Sequence, residues 1–180
     1  MDRQQPLVLP RRTLLVLCGV AGAGKSTFAH SFVEEHRAQG LQDTSIVSSD
    51  YCRALVCDDD NNQQASRDAF DLLYYIVHKR LLQARFTLVD STALQVETRH
   101  RLLEIAQRHR YTTCLLIFNT SLATSIQRDR TRPRIVGEEI IRYHEGLLRQ
   151  TLTDIPHEGW HQVCSIEENS PICSIIIGEA

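Results

Sequence analysis

Five short runs of β-branched and large apolar residues recur along the chain: TLLVLC at 13–18, TSIVS at 44–48, FTLVD at 86–90, TTCLLIF at 112–118 and HQVCSI at 161–166. Runs that are apolar on both faces suit central strands of a sheet covered on both sides. Between them the spacing turns helical. Residues 26–38 put Phe28, Phe32 and Val33 on one face, and 65–84 carries Phe70, Leu73, Tyr74, Val77, Leu81 and Leu82 at similar intervals. A third such stretch, 96–109, sets Leu102, Leu103, Ile105 and Ala106 among charges. Strands alternating with helices predict right-handed βαβ crossovers and an α/β fold, with a mainly parallel sheet of about five strands and helices on both faces. The Arg-Pro neighbourhoods at 10–12 and 130–134 read as loops, and the C-terminal SPICSIIIGEA as a short extra strand or an ordered tail.

With 180 residues, 42% of them hydrophobic, the chain is long enough for one ordinary core and short for two. The expectation is a single domain over residues 1–180. No run approaches the roughly 20 consecutive apolar residues of a membrane span, and the N-terminal segment lacks a small-residue cleavage site. A cytoplasmic location with no membrane partner is expected. Six cysteines (Cys18, Cys52, Cys57, Cys114, Cys164 and Cys173) show neither a CxxC pair nor metal-ligand spacing, and read as reduced thiols. A net charge of −2 argues against a broad, non-specific nucleic-acid binder and leaves room for a local basic pocket. The 20 basic residues are 18 Arg and two Lys, so the position of Lys25 is informative.

The first apolar run leads directly into GVAGAGKST, residues 19–27, which matches G-x-x-x-x-G-K-[ST] with Gly19, Gly24, Lys25 and Ser26. Glycines are needed there because backbone N–H groups must turn inward around phosphate oxygens, in conformations a side chain would obstruct. Gly22, Ala23, Gly24, Lys25, Ser26 and Thr27 form the expected ATP cradle. Lys25 would reach the β- and γ-phosphates, Ser26 would offer its hydroxyl to Mg²⁺, and the following helix adds its N-terminal dipole. A strand before and an amphipathic helix after supply the context of a P-loop NTPase fold.

In an open parallel sheet, ligands sit outside the carboxyl ends of the strands. Asp50 follows the second run and Asp90 closes the third. A kinase acting on a hydroxyl needs a carboxylate near the acceptor to take its proton, and Asp50 is the candidate. Alternatively it caps a helix starting near residue 51, worth about 1 kcal/mol. Asp90 resembles the Walker B acid that helps hold Mg²⁺, and could equally orient the acceptor or cap the next helix.

Residues 128–134, RDRTRPR, hold four arginines in seven positions, with a proline that forbids a continuous helix. They read either as a solvated basic loop or as an Arg-rich lid, about 128–137. In the lid, Arg128 and Arg132 would neutralise charge on the transferred phosphoryl group, and Arg134 could assist. Arg53, three residues beyond Asp50, either binds an anion on the acceptor or pairs with Asp58, Asp59 or Asp60.

Together, GVAGAGKSTFA, VSSDYCRALVCDDDNNQ, AFDLLYYIVHKRL, LVDST, QRDRTRPR and EEIIRYHEGLL resemble the 5′-hydroxyl polynucleotide kinase family, above all the kinase module of bacterial polynucleotide kinase-phosphatases. The resemblance implies transfer of the ATP γ-phosphate, with Mg²⁺, to 5′-OH ends of DNA or RNA. It assigns Asp50 as general base and Arg53 as a contact to the phosphate next to the terminal nucleotide. Lys25 and Ser26 serve the nucleotide, and Arg128 and Arg132 contact its phosphates from the lid. By these roles Lys25, Asp50 and Arg128 are catalytic candidates, and Asp50, Arg53 and Asp90 acceptor-site candidates. One departure is Ala93, where the family often has Asn. These 180 residues match the kinase module without the phosphatase and ligase modules of the larger bacterial proteins, which fits either a stand-alone kinase or an excised domain. A small-molecule kinase and a non-catalytic ATP-binding module remain alternatives.

Overall fold

A computed structural model describes residues 6–132, 135–168 and 174–178. Arg134 and Cys173 lie outside the described residues. The sheet is built from β2 (Thr13–Cys18), β3 (Ile46–Ser48), β4 (Thr87–Asp90), β5 (Thr112–Asn119) and β6 (Gln162–Glu167), in the order β3-β4-β2-β5-β6 and parallel throughout. Among the described residues six α-helices connect and cover it: α1 (Lys25–Glu35), α2 (Ser49–Cys57), α3 (Ser66–Leu82), α4 (Val96–Arg108), α5 (Leu122–Arg130) and α6 (Glu138–Asp154). The expected α/β fold is therefore present.

Solvent access sorts the five strands. Every residue of β2 and β4 is buried, and β5 is buried along its middle, as two-sided apolar runs require. The edges differ from expectation. TSIVS shortens to a three-residue β3 because Asp43–Ser45 forms a single 3₁₀ turn, in which the Ser45 hydroxyl accepts from the Gln42 backbone N–H at 3.1 Å. β6 alternates half-buried and exposed residues, with Val163 43% exposed, so it is an edge strand rather than a central one.

On α1, Phe28, Ala29, Phe32 and Val33 are buried; Phe28 meets Phe118 of β5 edge-on at 5.6 Å between ring centroids. α3 buries Ala69, Leu73, Val77 and Leu81, and leaves Leu82 exposed at its last position. Two features are absent from the periodicity reading. Residues Leu7–Pro10 form β1, which pairs in parallel with β7 (Ile175–Gly178) as a separate two-stranded sheet, so part of the C-terminal segment is a strand. α5 and α6 also go unsignalled by the apolar runs. Cys18, Cys52 and Cys57 are thiols not linked in a disulfide; Cys18 and Cys52 are buried, and burial pushes each up to about 11.

A buried arginine ties the layers together. Arg99 of α4 is fully buried and donates from Nη1 to the carbonyls of Ala93 at 3.0 Å and Leu94 at 2.9 Å. The same nitrogen reaches Thr151 Oγ1 on α6 at 3.0 Å, and Nη2 meets Glu158 Oε1 at 2.5 Å. It thereby holds the turn after β4, where Ala93 adopts φ 46°, a conformation costly for any residue with a Cβ and easier for asparagine. Arg99→Ala should cost about 3–5 kcal/mol, the range for removing one partner of a buried pair. The measurement is the urea midpoint at unchanged slope. Replacing both partners by Arg99→Met with Glu158→Leu should cost less than the two single changes added together, and simple additivity would contradict the coupling.

Candidate active site

Strand register assembles the site. Ser48 lies beside Asp90, and Asp90 beside Leu17, so the chain leaves β3, β4 and β2 at one level on one edge of the sheet. From that edge β2 enters the glycine-rich turn. Gly24, at φ 101°, caps α1. At Gly22, φ is 82° and a Cβ would lie 2.4 Å from the carbonyl oxygen of Ser125 on α5. Glycine is thus required there both by conformation and by the close approach of α5. Gly19 N–H donates to the Thr92 carbonyl at 3.0 Å, joining this turn to the one Arg99 holds.

Lys25 is buried, and its Nζ donates to the carbonyls of Gly19 at 2.8 Å and Val20 at 2.7 Å. Burial lowers its pKa, opposed mainly by the charge of Asp90. Asp90 is buried in turn; burial raises its pKa, with Lys25 and the Ser26 hydroxyl pulling the other way. Asp90 caps no helix, since α4 starts at Val96 with Gln95 before it. A carboxylate penalised by burial, next to the exposed Ser26 hydroxyl, fits a divalent cation, which would restore the charged form. Among the described residues no cluster of three or more His, Cys, Asp or Glu could hold a metal ion.

Asp50 lies in the first turn of α2 and is not its cap. Ser48 takes that place, its Oγ accepting from Tyr51 N–H, because the helix begins two residues earlier than expected. Arg53 bonds none of the Asp58, Asp59 or Asp60 carboxylates considered for it. Its Nη1 donates to Asp50 Oδ1 at 2.6 Å and to the Asp60 carbonyl at 2.8 Å. The Arg53 side chain is 5% exposed and that of Asp50 46%, so the guanidinium is enclosed while the carboxylate stays reachable.

Asp50, Arg53, Lys25, Ser26, Asp90 and Arg132 all line one cleft of about 420 Å³. A second cavity, of about 710 Å³ and walled by Phe28, Phe32, Phe118 and Ile166, opens on the other side of the turn. Gly24, Thr27 and Arg128 border both. Arg128 lies in the last turn of α5, with Nη1 3.4 Å from the Ala23 carbonyl. Gly22 lines the smaller cleft and Ala23 the larger cavity.

Three functional features escaped the sequence reading. Asp129, inside the arginine run, is buried and accepts from the backbone N–H groups of Val136 and Gly137, at 3.1 and 2.9 Å, stapling the loop that Arg132 belongs to. The acid in RDRTRPR was its one signal. Arg130 turns outward and bonds Glu138 at 3.1 Å, so it is not aimed at the cleft. His144 of α6 lines the cleft beside Val136 and Ile140, and nothing in the sequence marks it.

A parallel sheet with a phosphate-type turn at its carboxyl edge and an arginine-bearing helix against that turn is a P-loop NTPase-like kinase fold, which implies nucleotide binding. The family model described as an AAA domain matches residues 14–151, and the chain belongs to that family. No curated protein matches the sequence. Among solved structures, Chaetomium thermophilum Kti12 in complex with ADP-AlF3 is similar at 18% identity and TM-score 0.62, covering 88% of this chain and 91% of that one. Mycobacterium tuberculosis APS kinase CysC, solved with AMPPNP and APS, gives 17% and 0.57, covering 91% and 92%. A chain of a Pnkp1/Rnl/Hen1 complex gives 17% and 0.54, covering 76% of this chain and 43% of that one. At such identities the likeness carries the fold alone.

Burial, aided by the Lys25 charge, lowers the His144 pKa from 6.5 to about 4. The unfolded chain therefore takes up a proton near 6.5 that the folded chain refuses until about 4. Stability present above pH 6.5 is lost as pH falls through that window. His144→Gln should lose less Tm than the parent between pH 7 and pH 4.5. Equal losses would mean that His144 is protonated in the fold.

Proposed function

We propose that this protein is an ATP- and Mg²⁺-dependent kinase that phosphorylates the 5′-hydroxyl end of DNA or RNA, acting as one domain over residues 1–180 with a lid at about 128–137. The observation that carries this reading is the Asp50–Arg53 pair in the cleft that holds Lys25. A guanidinium enclosed to 5% exposure, with Nε lacking any partner among the described residues, is built to meet an anion. An acceptor whose hydroxyl meets Asp50 and whose own phosphate meets Arg53 is a nucleotide at a strand end.

In this reading the nucleotide base occupies the larger aromatic-walled cavity, and the phosphates cross the turn formed by residues 22–27 toward the smaller cleft. Asp50 accepts the proton of the 5′-OH as that oxygen bonds to the γ-phosphorus and the bond from phosphorus to the β–γ bridging oxygen breaks. Lys25 leaves the Gly19 and Val20 carbonyls for the phosphates, a stronger charge-assisted pairing. Arg128 and Arg132 neutralise charge from the lid side. Ser26 and Asp90 would hold Mg²⁺, which would supply further neutralisation of phosphate charge. Few phosphate contacts are needed at a strand end, so a net charge of −2 is compatible.

A small-molecule kinase is the second reading, since APS kinase shares the fold and a fold does not choose the acceptor. The two separate when the enzyme is given γ-labelled ATP and Mg²⁺ with 5′-OH DNA, 5′-OH RNA, 3′-nucleotides and free nucleosides. Asp50→Asn should abolish transfer, by about 10²-fold or more, with ATP affinity little changed. Arg53→Ala should weaken use of phosphate-bearing acceptors far more than use of ATP. Near-normal turnover by Asp50→Asn would remove the general base, and equal losses for acceptor and ATP in Arg53→Ala would favour the small-molecule reading.

A further inference from the structure

Among the described residues, five buried side-chain polar atoms have no hydrogen-bond partner, and three of them, Arg53 Nε, Ser91 Oγ and His144 Nδ1, belong to residues lining the smaller cleft. Native interiors rarely leave such atoms orphaned, and their gathering at one cleft points to a polar ligand there. Arg53 already has an anionic partner in the proposed function. His144 calls for a different one.

The imidazole stands on α6 and lines the smaller cleft, which also holds the apolar side chains of Phe70, Val136 and Ile140. Apolar side chains offer nothing to stabilise a charge on the ring or on a group bound to it. The charge on Lys25 also acts against an imidazolium, and the histidine stays neutral down to about pH 4. A neutral imidazole has one N–H and one lone pair, so it suits an uncharged hydroxyl or heterocycle edge. A half-turn about its Cβ–Cγ bond, the two-fold rotation open to imidazoles, exchanges Nδ1 with Cδ2 without moving α6. The cleft thus offers two kinds of partner: Lys25, Arg53, Arg128 and Arg132 for phosphates, and a neutral His144 with Phe70, Val136 and Ile140 for an uncharged ring system.

Resting on the kinase reading above, we infer that His144 is a specificity-determining residue that hydrogen-bonds an uncharged polar group of the acceptor's terminal nucleoside, whose ring packs on Phe70, Val136 and Ile140.

The test is calorimetric binding of a 5′-OH dinucleotide, with AMPPNP present, to the parent protein, His144→Gln and His144→Phe. Thermal melts confirm that each variant is folded at the assay temperature. Phenylalanine keeps a flat ring without its polar edge, and glutamine keeps a neutral donor and acceptor. Dinucleotide binding should weaken about tenfold in His144→Phe and recover at least half of that, on a logarithmic scale, in His144→Gln, with AMPPNP affinity within about twofold. An unchanged dinucleotide affinity in His144→Phe, an equal loss for AMPPNP, or no recovery by glutamine overturns the role of His144 alone. Parent protein that binds AMPPNP and no dinucleotide overturns the polynucleotide reading, and this inference with it. A variant that is unfolded is replaced by His144→Tyr or His144→Asn, judged by the same criteria.

Discussion

Parallel pairing of β4 with both β3 and β2 is the constraint on which the site depends. Because Ser48, Asp90 and Leu17 stand level, three loops leave the sheet at one height and meet in one cleft. A slip of one residue would turn Asp90 to the other face of the sheet and separate it from Lys25. The complete burial of β2 and β4 makes such a slip prohibitive, since it would exchange packed apolar side chains between two covered layers. Precision at the site is therefore supplied by the core beneath it.

Above that edge, charge is handled by enclosure rather than by numbers. Lys25 is satisfied by two carbonyls of its own turn, and Asp90 by neighbours that only partly offset its burial. Arg53 is clamped between a carboxylate and a carbonyl. Each holds a defined position, and desolvated charges such as these interact more strongly than exposed ones. Exposed pairs such as Arg130–Glu138 contribute little by comparison. Arg99 performs the corresponding mechanical task behind the site, holding the Ala93 turn to α6 and through Thr92 to the start of the phosphate turn.

Some of this was legible along the chain because its signal is local. The strand before GVAGAGKST, the helix after it, and the alternation of apolar runs follow from backbone sterics and burial periodicity, which act over a few residues. Where local signals compete, reading fails. Asp50 and Ser48 are both good caps, and the serine prevails because β3 ends at Ser48 and the helix starts at once. α6 buries Ile141, Leu148 and Thr151 at helical spacing and His144 falls on the same face, so periodicity alone does not tell a histidine that lines a cleft from one packed in a core.

The sequence by itself determined the class of fold, the phosphate turn and the acidic and basic residues that could gather beside it, because each depends on composition and spacing within one element. Tertiary structure alone decided which of them meet: that Arg53 pairs with Asp50 and not with the aspartates that follow, that Asp129 staples the loop bearing Arg132, and that His144 faces the cleft. Those pairings join residues on different elements or compete among several near neighbours. Strand register and helix packing select among them, and neither is written in any single segment.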